Sequence, residues 1–396
     1  MTQTFQLTEW RSSEPLLLSS VQRRGLEELF QASIRSGPTA DTFIVTPGNV
    51  VGAVEIGGAL VVVSPKIAVD RVVFMISYAQ DPYRWREDWA SLGRIDDLVE
   101  GFAALFLRAC DRVLACGLHR AYRSVEADEA QIRGRVRWAR QVRRPLPLPI
   151  AVRYQTHDDD VLENQLIRAA LASLRATNIR NPRVAAELAR TWNRFRDLRV
   201  LQSPRHELRR LVWTRQNEHY RPLLGLARLI IEGNAADLTG GAVSAPGFTL
   251  SMPQVFEQFV RTALREQNGL SLTEMPDDPR EHDLHLDSRR RLELRPDLGV
   301  RIQGRWCFVG DVKYKRDLGS GRQADLYQLL AYATAARLEE ATLIYADGPV
   351  DDSSHIVRVT GTRLNLIRLD LTRQPREVLR QLERVKLAPQ VLPLIG

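Results

Sequence analysis

The stretch from Leu298 to Val312 constrains this chain more than any other. Apolar residues alternate through Leu298, Val300 and Ile302, then resume at Trp306 and Phe308 with a run to Val312. Gln303-Gly304 between them marks the turn of a β-hairpin. A three-residue loop, Gln303 to Arg305, sets Ile302 against Trp306 and Asp297 against Asp311, with Cβ atoms roughly 5 Å apart. A two-residue loop sets Gly310 against Asp297, unless a bulge near the acids restores the register. The three-residue loop is expected.

Asp311 and Lys313 are two apart on a strand, so both share the face of Asp297. Hard divalent cations such as Mg²⁺ take one or two carboxylates together with water and substrate phosphate, which suits Asp297, Asp311 and the Val312 carbonyl, with Mn²⁺ as an acceptable substitute. An ammonium beside two carboxylates stays charged. Lys313 is therefore expected to position water and offset phosphate charge rather than act as a free base.

Pro296-Asp297 with Asp311-Val312-Lys313 resembles the PD-(D/E)xK nuclease motif. The resemblance implies Mg²⁺-dependent hydrolysis of DNA phosphodiesters, with Asp297, Asp311 and Lys313 as the catalytic set. Upstream, Ser251-Met-Pro-Gln254 has the form of a capping box and opens a helix whose apolar face is Val255, Phe256, Phe259, Val260, Ala263 and Leu264. Glu257 rides at the edge of that face. The resemblance implies that it is a further metal ligand; a solvated helix glutamate is the alternative. Downstream, Gln328 and Tyr332 fall one turn apart on a helix from Asp325 to Leu338. They resemble the Gln-x-x-x-Tyr element of RecB-like nucleases, which would brace the site or touch the DNA backbone; a core tyrosine beside a surface glutamine is the plainer reading. Lys315, one step further along the strand face, is a candidate phosphate contact.

The 396 residues, 44% hydrophobic, can bury a large core and suffice for two or three domains. Three cysteines, Cys110, Cys116 and Cys307, lack zinc-like spacing and leave an odd count, so no disulfide framework is expected and a reducing cytoplasm fits. No apolar run is long enough to span a membrane. The net charge of +8, dominated by arginine, suits phosphate-bearing partners.

An α+β multidomain chain is expected, with a β-rich module over 1–80, a mainly helical region over 81–240 and an α/β nuclease core over 248–396. In the first, Gly57-Gly58 makes a tight hairpin and Pro65-Lys66 ends its second strand. No phosphate loop of the form G-x-x-x-x-G-K-[ST] occurs anywhere. In the second, Arg133, Arg135 and Arg137 alternate on one strand face, followed by Arg140, Arg143 and Arg144. That stripe suits DNA phosphates, a solvated face or an acidic partner. Asp160 with Glu163 is read as a helix start rather than a metal cluster, and Glu281-His-Asp-Leu-His285 is given no site. Residues 234–247 read as a connector, and three strands followed by a helix from Arg376 close the chain.

Val50-Val51-Gly52, Ser64-Pro65-Lys66, Arg71 to Tyr78, Gly134-Arg135, Asp160 to Asn164, Asn217 to Tyr220 and Met252 to Val260, in that order and with the nuclease set intact, resemble the McrC family. That family supplies the nuclease subunit of McrBC-type modification-dependent restriction systems. The resemblance implies a McrB-like AAA+ partner ring that hydrolyses GTP and recognises modified double-stranded DNA, with residues 1–240 as the partner-contact part. The absent phosphate loop agrees with that division of labour. Arg71 and the 133–144 arginines are candidates for stimulating hydrolysis. A standalone RecB-like repair nuclease and a non-catalytic activator of a ring remain alternatives.

Overall fold

The computed structural model describes all residues except 1–2, 40, 87–96, 178, 235–246, 279–280, 282, 317–321, 348–351, 386 and 388–396. Most of the expected connector, and His282 of the Glu281–His285 grouping, thus lie outside the described residues. Two compact units emerge, one joining residues 1–105 to 233–396 and the other spanning 106–232.

The first unit opens with β1 (Gln3–Thr8), β2 (Leu16–Leu17), α1 (Ser20–Phe30), β3 (Ser33–Ser36), β4 (Thr42–Thr46), β5 (Val50–Ile56) and β6 (Ala59–Ser64). The β5–β6 hairpin turns at Gly57 and Gly58, whose φ values of 55° and 77° are the left-handed pair that a two-residue turn needs. Helix α1 was not anticipated, although its Ser19/Gln22 capping box stands in the sequence. Helix α2 (Val69–Gln80) follows, and α3 (Leu98–Cys116) runs on into the second unit.

That second unit holds β7 (Ala121–Glu129), β8 (Arg135–Val136), α4 (Trp138–Gln141), β9 (Ile150–Asp158), α5 (Leu162–Arg175), α6 (Pro182–Phe195), α7 (Pro204–Leu208) and α8 (Arg221–Glu232). Its sheet, ordered β7-β9-β8, goes beyond the mainly helical expectation. Alternating exposure along β7 leaves one face to water, as a ribbon of charged and small residues would. Asp160 does not cap α5. Its carboxylate instead accepts from Gln165 Nε2 at 2.8 Å and the Arg199 N–H at 2.8 Å.

The chain returns to the first unit through β10 (Gly247–Ser251), which pairs with β5 and completes a sheet ordered β1-β6-β5-β10. Gly52, at φ 138°, permits this pairing, since a Cβ there would lie 2.2 Å from the Phe248 carbonyl oxygen. Helix α9 (Met252–Gln267) starts directly from that strand. The expected Ser251 cap does not form, because Ser251 is still a rung of the ladder opposite Val50 and the Met252 N–H donates to the Asn49 carbonyl. The apolar face of α9 is buried; Phe259 meets Phe74 and Tyr78 of α2 edge-on at 5.3 and 5.6 Å. Truncating Phe259 to Ala would cost about 3–5 kcal/mol.

A short ribbon, β11 (Leu284–His285) with β12 (Glu293–Leu294), precedes the main sheet. That sheet consists of β13 (Leu298–Ile302), β14 (Arg305–Arg316), β15 (Glu340–Asp347), β16 (Ser353–Ile356) and β17 (Arg363–Arg368), ordered β13-β14-β15-β17-β16. β14, β15 and β17 are parallel; β13 and β16 run antiparallel at the edges. Helix α10 (Gln323–Ala336) covers one face through Leu329, Tyr332 and Ala333, which join Val309, Leu343, Tyr345 and Leu366 in one buried cluster. The expected strand at Ile356 to Val359 begins earlier and stops at Ile356, because Val357 and Thr362 close a turn instead. Helix α11 (Pro375–Leu382) ends the described fold.

Candidate active site

The hairpin reaches the expected register by the other route. Ile302 pairs with Arg305, so the loop is only Gln303-Gly304, with φ values of 51° and 79°. One residue is then gained at a bulge: Val300 pairs with Phe308 but Arg301 with Trp306, leaving Cys307 without a rung. The ladder resumes shifted, Leu298 opposite Gly310, so the next step outward sets Asp297 against Asp311. Short loop and bulge together yield what a longer loop would have given.

Asp297 is half-buried, and its Oδ2 accepts from the Val312 N–H at 2.9 Å. Asp311 is 1% exposed, and its Oδ1 accepts no hydrogen bond within the protein. Its one close partner is the Lys313 ammonium, in ion-pair contact with Oδ2. Burial first, then the Asp297 charge, pushes the Asp311 carboxyl up to about 8 despite that lysine. For Lys313, burial works against the charge, but Asp311 and Asp297 outweigh it and the ammonium is held above its ordinary range.

Glu257 faces the same cluster from α9, its carboxyl raised by burial and then by Asp297. It is paired with Arg261, one turn along the helix. Arg261, 4% exposed, also donates from Nε and Nη2 to the Asp297 carbonyl at 3.1 and 2.8 Å, and from Nη1 to the Asp277 carbonyl at 2.7 Å. Sequence reasoning missed this arginine; the Glu257/Arg261 spacing of four on a helix was the available signal.

Gln328 and Tyr332 touch as their spacing requires. Gln328 Nε2 donates to the Tyr332 hydroxyl at 2.6 Å, and that hydroxyl donates to the Arg295 carbonyl at 3.0 Å, two residues before Asp297. Tyr332 is 3% exposed, and burial followed by the Asp311 charge raises its phenol. Lys315, expected at phosphate, is engaged instead with Asp325 of α10 at 2.9 Å, whose other oxygen accepts from Tyr345 at 2.9 Å. On the far face of β14, Tyr314 donates to Glu9 at 2.7 Å.

Two carboxylates face each other, the buried one with Lys313 at Oδ2 and Oδ1 unpartnered, and a bound cation would complete them. Mg²⁺ asks for no more from protein than one or two carboxylates, so the pair fits. Among the described residues no group of three or more His, Cys, Asp or Glu side chains gathers as a metal cluster, since Glu257 is turned to Arg261.

Part of the arginine stripe of the second unit is paired on its own sheet, though two carboxylates leave it net positive. Arg137 and Arg153 pair with Glu126, Arg140 and Arg144 pair with Asp128, and Arg133 lies 4.2 Å over the Tyr154 ring. Arg71 is buried and pairs with its neighbour Asp70 at 3.0 Å. No helix among the described residues is long and apolar enough to cross a membrane.

These features define a mixed α/β protein with an acid pair and a lysine on a bulged hairpin. A family model described as McrBC 5-methylcytosine restriction system component matches residues 45–346, and the chain belongs to that family. A McrC-containing half-complex from a tetradecameric assembly of Thermococcus gammatolerans McrB AAA+ hexamers shares the fold. It has a TM-score of 0.53 and 18% identity, over 97% of this chain and 100% of its counterpart. The cryo-EM structure of the Thermococcus gammatolerans McrBC complex matches at a TM-score of 0.42 and 18% identity, over 68% and 88%. No curated protein matches the sequence.

Proposed function

We propose that this chain is the DNA-cutting subunit of a McrBC-like restriction system, a PD-(D/E)xK endonuclease that works with, and stimulates, a GTP-hydrolysing McrB-like AAA+ ring recognising modified double-stranded DNA. The observation that carries this reading is the buried Asp311, with Oδ1 unpartnered, set against Asp297 and paired with Lys313 on the same face. Membership of the McrBC family, and the likeness in fold to a McrC bound to McrB hexamers, support the partner.

Asp297, Asp311 and the Val312 carbonyl would hold Mg²⁺, which when bound supplies a Lewis acid and an acidified water. Asp311 gives up its proton when the cation binds, so binding is coupled to proton release and strengthens as pH rises. Lys313 orients the attacking water and offsets charge that develops on the phosphate. Water oxygen bonds to phosphorus as the bond to the 3′ oxygen breaks, leaving a 5′-phosphate and a 3′-hydroxyl that takes up the proton. Tyr332, through the Arg295 carbonyl, keeps the Pro296-Asp297 segment in place. The expected partner-contact role of residues 1–240 belongs to this proposal too, without a named stimulating residue.

The test incubates the full chain with methylated duplex DNA and Mg²⁺, with and without the McrB-like protein and GTP. Cleavage only with the ring, lost in Asp311→Ala while GTP hydrolysis stays stimulated, is the expected result. Cleavage without the ring would favour a standalone nuclease, and stimulation without any cleavage an activator that does not cut.

A further inference from the structure

We infer that Arg261 is the positioning residue of the acid pair, clamping Asp297 through its main chain and holding Glu257 away from the cation position; this rests on the nuclease reading above. The guanidinium is almost wholly enclosed, and its N–H groups are aimed at two backbone carbonyls and one carboxylate. A cation is seldom buried unless the partners around it are satisfied by it. Here the partners are the chemistry itself.

The Arg295–Asp297 segment is gripped at both ends. Tyr332 takes the Arg295 carbonyl and Arg261 the Asp297 carbonyl, while Pro296 between them is buried and fixed in φ. The Asp297 side chain is then pinned by the Val312 N–H. What remains adjustable is small, as the acid that must face Asp311 requires. Arg261 also ties this segment to Asp277 and to α9, so one side chain links the start of the hairpin to the helix that carries Glu257.

Its second effect is electrostatic. Asp297 and Asp311 face each other, and Glu257 is near enough that burial and then the Asp297 charge raise its carboxyl. Each cation takes one carboxylate, Glu257 being paired with Arg261 and Asp311 with Lys313. Lysine cannot reproduce the first arrangement, because an ammonium is a point donor and cannot serve three acceptors in fixed directions.

The test measures Mn²⁺ binding to the full chain by titration calorimetry, alongside thermal unfolding. Groups that orient metal-binding side chains typically change affinity 10- to 100-fold when removed. Arg261→Met, which keeps the bulk and loses every donor, should weaken Mn²⁺ binding about tenfold or more, and Arg261→Lys should fall between it and the wild type. Ring-dependent cleavage should shift to higher Mg²⁺ demand. If Arg261→Met does not fold, Arg261→Lys carries the decision. An Arg261→Lys variant that binds Mn²⁺ as tightly as the wild type, with only its unfolding temperature lowered, would make the arginine a packing element and overturn the inference. Asp311→Asn separates the two levels: if wild type and Asp311→Asn bind Mn²⁺ alike, the metal site itself is wrong and Arg261 falls with it.

Discussion

Replacing Asp311 by Asn should make the metal-free protein more stable, by an amount that grows with pH. The carboxyl is shifted from 3.8 in an unfolded chain to about 8 in the fold. A group whose folded pKa is raised in this way holds its proton in the native state after the unfolded state has released it. Stability is therefore present in full below about pH 4 and is lost as pH rises toward 8. With each pKa unit worth about 1.36 kcal/mol, that shift from 3.8 to about 8 costs about 4 kcal/mol at pH 7 and about 2 kcal/mol at pH 5. Asparagine does not titrate, so the advantage of the variant should widen by about 2–3 kcal/mol between those two pH values. The Lys313 pair is already counted, since that ammonium lowers the folded pKa from what burial alone would give. The assay is urea denaturation in EDTA at pH 5, 6, 7 and 8 for both proteins. A difference that stays flat across the range would refute the claim that burial and Asp297 hold this carboxyl protonated. Adding Mg²⁺ should then stabilise the wild type and leave Asp311→Asn unchanged.

Tyr332→Phe removes the hydroxyl that joins Gln328 to the Arg295 carbonyl, so a loss of about 1 kcal/mol in stability and a lower cleavage rate at saturating Mg²⁺ are expected. Unaltered cleavage in a gel assay would show that the segment before Asp297 is held well enough without it. Tyr314→Phe strips the fully buried Glu9 of one of its two donors, the other being the Lys66 N–H at 2.7 Å, while Glu9 Oε2 already lacks a partner. It should destabilise the first unit by about 1–3 kcal/mol, read by calorimetry, with Mn²⁺ affinity preserved because Tyr314 lies on the opposite face from Asp311.

The site was legible where its parts are close in sequence. Asp311 and Lys313 share a face because strand residues two apart must, and Gln328 meets Tyr332 because helix residues four apart do. Gln303-Gly304 and Gly57-Gly58 turn because both positions demand positive φ. The pairing of Asp297 with Asp311 was also expected, but through a longer loop than the chain uses.

What the sequence settled by itself was therefore local: which stretches alternate, where turns fall, and which charged groups lie on one face of one element. Tertiary structure alone decided the rest. The bulge at Cys307 depends on how β13 and β14 mate, and the enclosure of Asp311 on what packs around it. Arg261 reaches Asp297 and Asp277 only because α9 lies against the hairpin, and Glu9 meets Tyr314 only once β1 and β14 are brought into the same unit. Such contacts depend on how separate elements pack, and periodicity within each element carries no record of it.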